Sequence, residues 1–321
     1  GAGNSSYGYL SGGRVDSPSL AYFSTIDRID YSSDTSTASP KGSLSAATSY
    51  RTGTGDASYG YMGGGQIVSP SSPYTKTSSV ERIDYSNDTA IASPKGPLTV
   101  IQYGAGGASA LDNAKPNPTN KTVDKGADGF EVPVPPTETF GPAYGYIPHG
   151  WPVNTRIQRI DFDNDTATTV NKGNLAQKAG YSAGMSNTTH GYVTGGLNPA
   201  EQTTVQRIDY ASDTSTAATK GPINYPTRNS AGNMGNTTHG YIASGSGGSS
   251  RVDRITYASD TSTATSRAAL ATAIPGGWSV SGISDASYGY VVGGGYGGST
   301  YIQRIDFSND NATPSPKSNL T

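Results

Sequence analysis

The sequence has no cysteine. That excludes disulfides, thiolate chemistry and cysteine-ligated metals, and leaves the redox compartment open. Tryptophan occurs twice and histidine three times, so imidazole-based metal or acid–base sites have few candidates. Charged residues make up 14% of the chain and the net charge is −2. No basic face is implied, and nucleic acid is not an expected partner. No apolar run approaches the roughly 20 residues of a membrane span, so membrane insertion is not expected. The first residues, "GAGNSSYGYL", lack the charged and apolar regions of a signal peptide and read as the middle of a longer or processed product.

Glycine (43) and tyrosine (22) are abundant, and both recur in register. The tetrad Arg-Ile-Asp-aromatic starts at Arg28, Arg82, Arg159, Arg207 and Arg304, and at Arg254 as Arg-Ile-Thr-Tyr. The separations are 54, 77, 48, 47 and 50 residues. Ahead of each tetrad stands Tyr-Gly-Tyr or His-Gly-Tyr, usually followed by a glycine cluster, as in "YGYMGGG" from Tyr59. A period near 50 calls for a repeat architecture. Each unit reads as four short strands, for example "GYSAGMSN" from Gly180, "HGYVTGG" from His190, "VQRIDYAS" from Val205 and "TSTAATKG" from Thr214. No stretch has helical periodicity. These signals predict an all-β fold: a six-bladed β-propeller of four-stranded antiparallel blades. It is expected to form a single domain over 1–321, with blades about 1–43, 44–97, 135–174, 175–222, 223–269 and 270–321. A Pro/Asn-rich loop insertion, 98–140, is placed between blades two and three. Pro116, Pro118, Pro133, Pro135 and Pro136 should keep it extended. Closure of the ring falls to Gly1–Ser6 or to a strand from outside the chain.

In the third strand Arg82 and Asp84 share one face, Ile83 and Tyr85 the other. The pairs Arg28/Asp30, Arg82/Asp84, Arg159/Asp161, Arg207/Asp209 and Arg304/Asp306, with Arg254 in the fifth unit, are therefore read as structural repeat residues. They pair with each other or across blade interfaces, and Arg82, Arg207 and Arg304 are expected to be largely buried. Asp30/Asp34 and Asp84/Asp88 could suggest calcium, but recurrence at a turn favours hairpin capping, and no metal or other cofactor is predicted. His190 and His239 stand where other units carry Tyr and read as packing residues. The glycine clusters lack the strand–loop–helix context of a phosphate site.

"YGYMGGG" followed by "VERIDYSND" resembles a kelch-type blade, without the Trp usual in its last strand. The fuller pattern, Gly-Tyr…Gly-Gly…Gln-Arg-Ile-Asp-Phe-Ser-Asn-Asp…Pro-Lys-Gly, resembles repeats in structural and tail proteins of marine bacteriophages. The resemblance implies a propeller, and a virion or extracellular location.

From each tetrad Arg to the basic residue of the fourth strand the spacing is always 13, as in Arg82 and Lys95. The second-to-third connections vary from 5 to 16 residues. In a four-stranded meander these connections, and those between blades, emerge at one end. That end is expected to bind. It should carry Tyr22, Phe23, Tyr74, His149, Trp151, Tyr296, Tyr301 and the insertion, whose aromatics suit sugar rings or a protein partner. No catalytic constellation stands apart from the repeat. The expected function is a non-enzymatic, surface-exposed binding or structural module, a tail, fibre or adhesin-like component that contacts neighbouring protein subunits or cell-surface glycans. The alternatives are a secreted carbohydrate-binding protein or glycan-active enzyme, and an intracellular kelch-type scaffold.

Overall fold

The computed structural model describes residues 1–16, 19–69, 72–109, 124–125, 131–132, 143–226, 231–245, 249–274, 280–293 and 299–321. It is all-β. Sheet I consists of β1 (Ala2–Gly3), β2 (Tyr7–Val15), β3 (Ala21–Asp30) and β4 (Ser39–Ser43). Then come β5 (Thr48–Ser49), β6 (Thr52–Gly55), β7 (Tyr59–Gly63), β8 (Gln66–Ser69), β9 (Ser72–Lys76), β10 (Val80–Asp84) and β11 (Ser93–Lys95). Of these, β6, β7, β10 and β11 form sheet II, while β5, β8 and β9 form a three-stranded sheet. Next are β12 (Ala108–Ser109), the two-stranded β13 (Asp124–Lys125) and β14 (Glu131–Val132), then β15 (Tyr144–Pro148), β16 (Arg156–Asp161) and β17 (Val170–Asn174). Sheet III is β12, β15, β16 and β17. Sheet IV is β18 (Ala183–Ser186), β19 (His190–Thr194), β20 (Val205–Asp209) and β21 (Ala218–Lys220). Sheet V is β22 (Gly232–Gly235), β23 (His239–Ala243), β24 (Val252–Thr256) and β25 (Thr265–Ser266). Sheet VI is β26 (Ser281–Ser284), β27 (Tyr288–Val292), β28 (Tyr301–Asp306) and β29 (Ser315–Asn319).

Among the described residues, seven sheets therefore have three or more strands, where the repeat predicts six. Six have four strands and the seventh has three. The extra sheet arises because the long connection between β7 and β10 folds into its own hairpin, β8–β9, and captures β5 from the linker before sheet II. The first strands of the six larger sheets meet in the order β1, β6, β12, β18, β22, β26, and β26 meets β1 again. The sheets thus have a propeller-like arrangement. β1 lies within Gly1–Ser6 and pairs with β2, so that segment supplies the innermost strand of sheet I.

The core is divided among the sheet-to-sheet interfaces. Ala2, Tyr9, Ile26 and Leu44 of sheet I and its linker pack on Met62, Ile83 and Ala92 of sheet II and its turn. Ile283, Tyr290, Val292 and Ile302 of sheet VI pack in the same way on Leu10, Ile29 and Ala38 of sheet I. Each Ile or Met buried completely contributes about 2 kcal/mol, so these clusters supply most of the stability.

The repeated polar residues fix how sheets meet. Each tetrad arginine reaches the aspartate in the turn of the next sheet: Arg28 to Asp88, Arg82 to Asp165, Arg159 to Asp213, Arg207 to Asp260, Arg254 to Asp310, and Arg304 to Asp34, all at 2.7–2.8 Å. The partner is thus the turn aspartate of the following sheet, never the tetrad's own aspartate. The same carboxylate accepts the basic residue 13 positions on, as Lys95 at 3.1 Å from Asp165, and the hydroxyl of the second motif tyrosine, as Tyr61 at 3.0 Å. The rings of Tyr61 and Phe162 stack across the interface with centroids 4.8 Å apart. The first motif tyrosine lies under the guanidinium, Tyr59 beneath Arg82 at 4.1 Å. His190 and His239 take that place in sheets IV and V and accept or donate at Thr189 and Thr238. Burial, and then the neighbouring Arg207 or Arg254, lowers their affinity for protons, which suits an imidazole beside a guanidinium.

The arginines are less enclosed than expected: the side chains of Arg82, Arg207 and Arg304 are 24–26% exposed, because the outer rim of the interface opens to solvent. The tetrad aspartates cap the turns that follow them, single-turn 3-10 segments after Asp30, Asp84 and Asp209, with Asp84 accepting the Ser86 amide. Thr256, in the divergent fifth tetrad, makes no such bond.

The "SPKG" ending has its own geometry. Pro40, Pro94 and Pro316 lie in outer edge strands, where a missing N–H is tolerated. At the following glycine the chain passes against the next sheet: a Cβ on Gly96 would lie 1.8 Å from the Ala167 carbonyl oxygen. The amides of Gly42, Gly96, Gly173 and Gly221 donate to the turn aspartate carbonyls at 2.7–2.9 Å. Where a side chain stands instead, at Ala268 and Ser318, the distances are 3.2 and 3.4 Å.

The turn carboxylate Asp260 makes stability pH-dependent. Burial pushes Asp260 up, but bonds from Lys220, Arg207 and Tyr192 outweigh it and hold the carboxyl below its ordinary value. A depressed folded value stabilises above the unfolded value of about 3.9 and is lost as pH falls through the folded value. Burial raises Asp27 and Asp56, which act in the opposite sense. Melting temperature is expected to fall below about pH 4, and Asp260→Asn should flatten part of that acid limb. A variant curve parallel to the parent's down to pH 2 would contradict the assignment.

Candidate ligand-binding site

The two ends of the ring differ. At one end the first-to-second and third-to-fourth turns of each sheet meet, tied by bonds such as Tyr85 N–H to Ser58 O and Tyr210 N–H to Thr189 O. Asn or Asp side chains cap the first kind, Asn187 accepting the amides of Thr189 and His190. This end is nearly identical from sheet to sheet, with one exception.

The exception is the insertion. It was expected in the connection between sheets II and III, at the opposite end. Ala108 and Ser109 instead pair with Tyr146 and Gly145 as the innermost strand of sheet III. Residues 98–109 therefore belong to the framework, and the inserted stretch leaves after Ser109 and returns at Tyr144, in place of a first-to-second turn. Its departure and return lie on the regular end, as the Phe162 amide bonded to Ala143 O shows. The five prolines assigned to it, and Tyr296, lie outside the described residues.

The other end carries the irregular loops. β2 and β3 run past the sheet as an extended hairpin, with Arg14 opposite Tyr22 and Gly13 opposite Phe23. β8 and β9 form a second hairpin, bearing Tyr74. Arg14 links them: its guanidinium lies over Tyr50 at 5.3 Å and Tyr74 at 5.8 Å, and pairs with both oxygens of Asp16 at 3.0–3.2 Å. Beside it stand Tyr50, Tyr103, Tyr181 and Trp151. Ring centroids are 6.0 Å apart for Tyr50–Tyr103, 5.7 Å for Tyr103–Tyr181 and 6.0 Å for Trp151–Tyr181, the last stacked. The Tyr181 hydroxyl donates to that of Tyr103 at 3.1 Å, and Lys76 lies over Tyr103.

Backbone strain holds two of these rings. Tyr50 and Tyr181 have φ of 56° and 54°, a left-handed conformation that costs a residue with a Cβ roughly 1–2 kcal/mol. Both stand two residues before the innermost strand of their sheets. Sheet III has Gly104 at the matching position, and a Cβ there would lie 2.7 Å from the Tyr181 ring. One glycine thus makes room for its neighbour's tyrosine. Strain of this kind collects at functional sites.

Tyr50 also borders a cavity of about 520 Å³ on the ring axis, shared with Arg14, Phe23, Arg51, Ser182 and Asn233. Arg51 is buried and pairs with Glu81 at 2.7 Å; burial lowers its proton affinity, against the pull of Glu81.

Of the residues expected at this end, Tyr22, Phe23, Tyr74 and Trp151 come together around Arg14 and the tyrosine cluster. His149 does not: it is buried, its Nδ1 facing the Gly150 carbonyl at 3.2 Å, and it packs the loop. Tyr301 begins β28 and is exposed, with no ring contact to the cluster among the described residues. Sequence reasoning missed Tyr50, Tyr103, Tyr181 and Arg14. Their one sequence signal is that they are aromatics and a cation outside the repeat, just before an inner strand or just after a glycine cluster. No protein-family model matches the chain, and no curated protein matches it. The kelch-like and virus-like resemblance rests on the residues quoted for it.

Proposed function

We propose that this chain is a non-enzymatic binding module built on a propeller-like arrangement of antiparallel sheets, in which the turn end is scaffold and the irregular end is the binding face. The observation that carries this reading is the tyrosine–tryptophan cluster around Arg14, held in place by two left-handed tyrosines. The repeated side chains are otherwise consumed in joining sheet to sheet, so the unrepeated aromatics have no framework role that the other sheets need. Among the described residues lining the cavity, Asp27 is the one carboxylate, whereas glycoside hydrolysis generally uses a pair; this favours binding over turnover. Exposure on a virion or outside the cell, as part of a tail, fibre or adhesin-like assembly, rests on the repeat resemblance.

The test is hydroxyl-radical footprinting of the full chain mixed with the particles or cell-surface fraction of its source. Protection of Tyr50, Tyr74 and Trp151 is expected. Protection confined to the turn residues Ser86–Thr89 would place the contact face at the other end, and no protection anywhere would overturn the binding reading.

A further inference from the structure

We infer that the ligand of the irregular end is a neutral saccharide, stacked on the Tyr50–Tyr181–Trp151 cluster with hydroxyls reaching into the axial cavity. This rests on the reading of that end as a binding face. Three observations carry it. The first is the aromatic platform itself: rings with hydroxyls at their edges offer a flat apolar face to the C–H side of a pyranose and polar atoms at its rim.

The second is charge. Every charged side chain that lines the cavity has a partner. Arg14 is bound by Asp16, Arg51 by Glu81, and Asp27 accepts the Thr321 hydroxyl. An anionic ligand would meet cations already neutralised, while Asp27, whose partner is a hydroxyl, sits among groups suited to a ligand's own hydroxyls. A hydroxyl-rich neutral molecule has no such conflict.

The third is unmet hydrogen bonding. Asn233 Oδ1, Ser182 Oγ and Arg51 Nε are buried without a hydrogen-bond partner, and all three residues line the cavity. Asn233 is the more telling. In the other sheets its register position is glycine: Gly1, Gly53, Gly107, Gly184 and Gly282. Its Nδ2 donates to Thr194 Oγ1 at 2.9 Å, leaving the carbonyl oxygen open. Two acceptor-capable atoms and one N–H donor match the mixed donor–acceptor character of sugar hydroxyls. A volume near 520 Å³ lies within the ordinary range of small-molecule sites.

The experiment is a fluorescence titration of the full chain with neutral hexasaccharides of β-1,4-glucan, α-1,4-glucan, β-1,3-glucan and β-1,4-mannan, alongside acidic hexasaccharides of hyaluronan and alginate. Two variants keep the fold by design. Tyr181→Gly removes the stacking ring while relieving the left-handed backbone, and Asn233→Gly restores the residue of the other sheets. Binding of at least one neutral glycan is expected, weakened about tenfold or more by Tyr181→Gly and measurably by Asn233→Gly, with melting temperatures near the parent's. Binding of acidic glycans alone, of none, or of a neutral glycan with affinity unchanged in both variants would overturn the inference. Footprint protection at Tyr50 and Trp151 with no glycan bound would remove the ligand class and leave the binding face standing; absence of both would remove the two together.

Discussion

Asp165→Ala is expected to cost about 3 kcal/mol of unfolding free energy, toward the low end for breaking a buried ion pair. Asp165 is 8% exposed and accepts Arg82 at 2.7 Å, Lys95 at 3.1 Å and Tyr61 at 3.0 Å. Removing it leaves two cations and a hydroxyl facing one another at a sheet interface. Arg82 is 24% exposed and can turn in part to water, which places the effect near the lower bound. Asp84→Ala, two residues after that arginine, is expected to cost only about 1 kcal/mol, the value of a lost cap. The fifth sheet already does without that cap at Thr256. Urea unfolding of the two variants separates the roles. Equal losses would mean that the turn and tetrad aspartates had been wrongly distinguished.

The second large effect concerns two deletions that differ at their edges. Removing residues 105–138 is expected to abolish cooperative unfolding. It takes away Ala105 and the innermost strand Ala108–Ser109, both packed at interfaces, together with the carbonyls that accept Thr52 Oγ1 at 2.9 Å and Thr54 Oγ1 at 3.1 Å. Replacing residues 110–143 by Asn-Thr-Thr should instead leave the melting temperature within a few degrees of the parent's. That turn is the one sheet IV uses between Ser186 and His190, with Asn187 capping two amides. Circular dichroism melts decide between them. A folded product of the first deletion would show that sheet III does not need its inner strand.

That inner strand was illegible in the sequence. It is two residues long and reads "AS", below the length at which period-two alternation can register. The motifs after it are long and in phase, so the insertion was drawn from the end of sheet II to the start of the next Tyr-Gly-Tyr. The periodic part was legible for the converse reason. Arg, Ile, Asp and Tyr recur because every interface needs the same contacts, and the four strands of sheets IV and V pair in the order the pattern implied. Partner identity was not legible. Arg82 and Asp84 share a strand face, yet the carboxylate that Arg82 uses is 83 residues away, and only the ring brings it near. Likewise nothing local distinguishes Tyr50 and Tyr181 from loop tyrosines; their backbone conformations and the packing of the Tyr181 ring against Gly104 are tertiary facts.

The Arg-to-Asp links all run in one direction around the sheets. Every sheet offers cations on one side and a carboxylate on the other, always in the same sense, and the joint from sheet VI to sheet I, Arg304 to Asp34, has the same parts as the internal ones. Such units are interchangeable couplers: duplicating or losing one leaves every remaining joint chemically complete. At the hub the inner strands crowd one another: a Cβ on Gly53 would lie 2.0 Å from the Gly1 carbonyl and one on Gly107 equally close to that of Gly53. A further sheet would thus find both its joints complete, while the axis would have to take in one more inner strand.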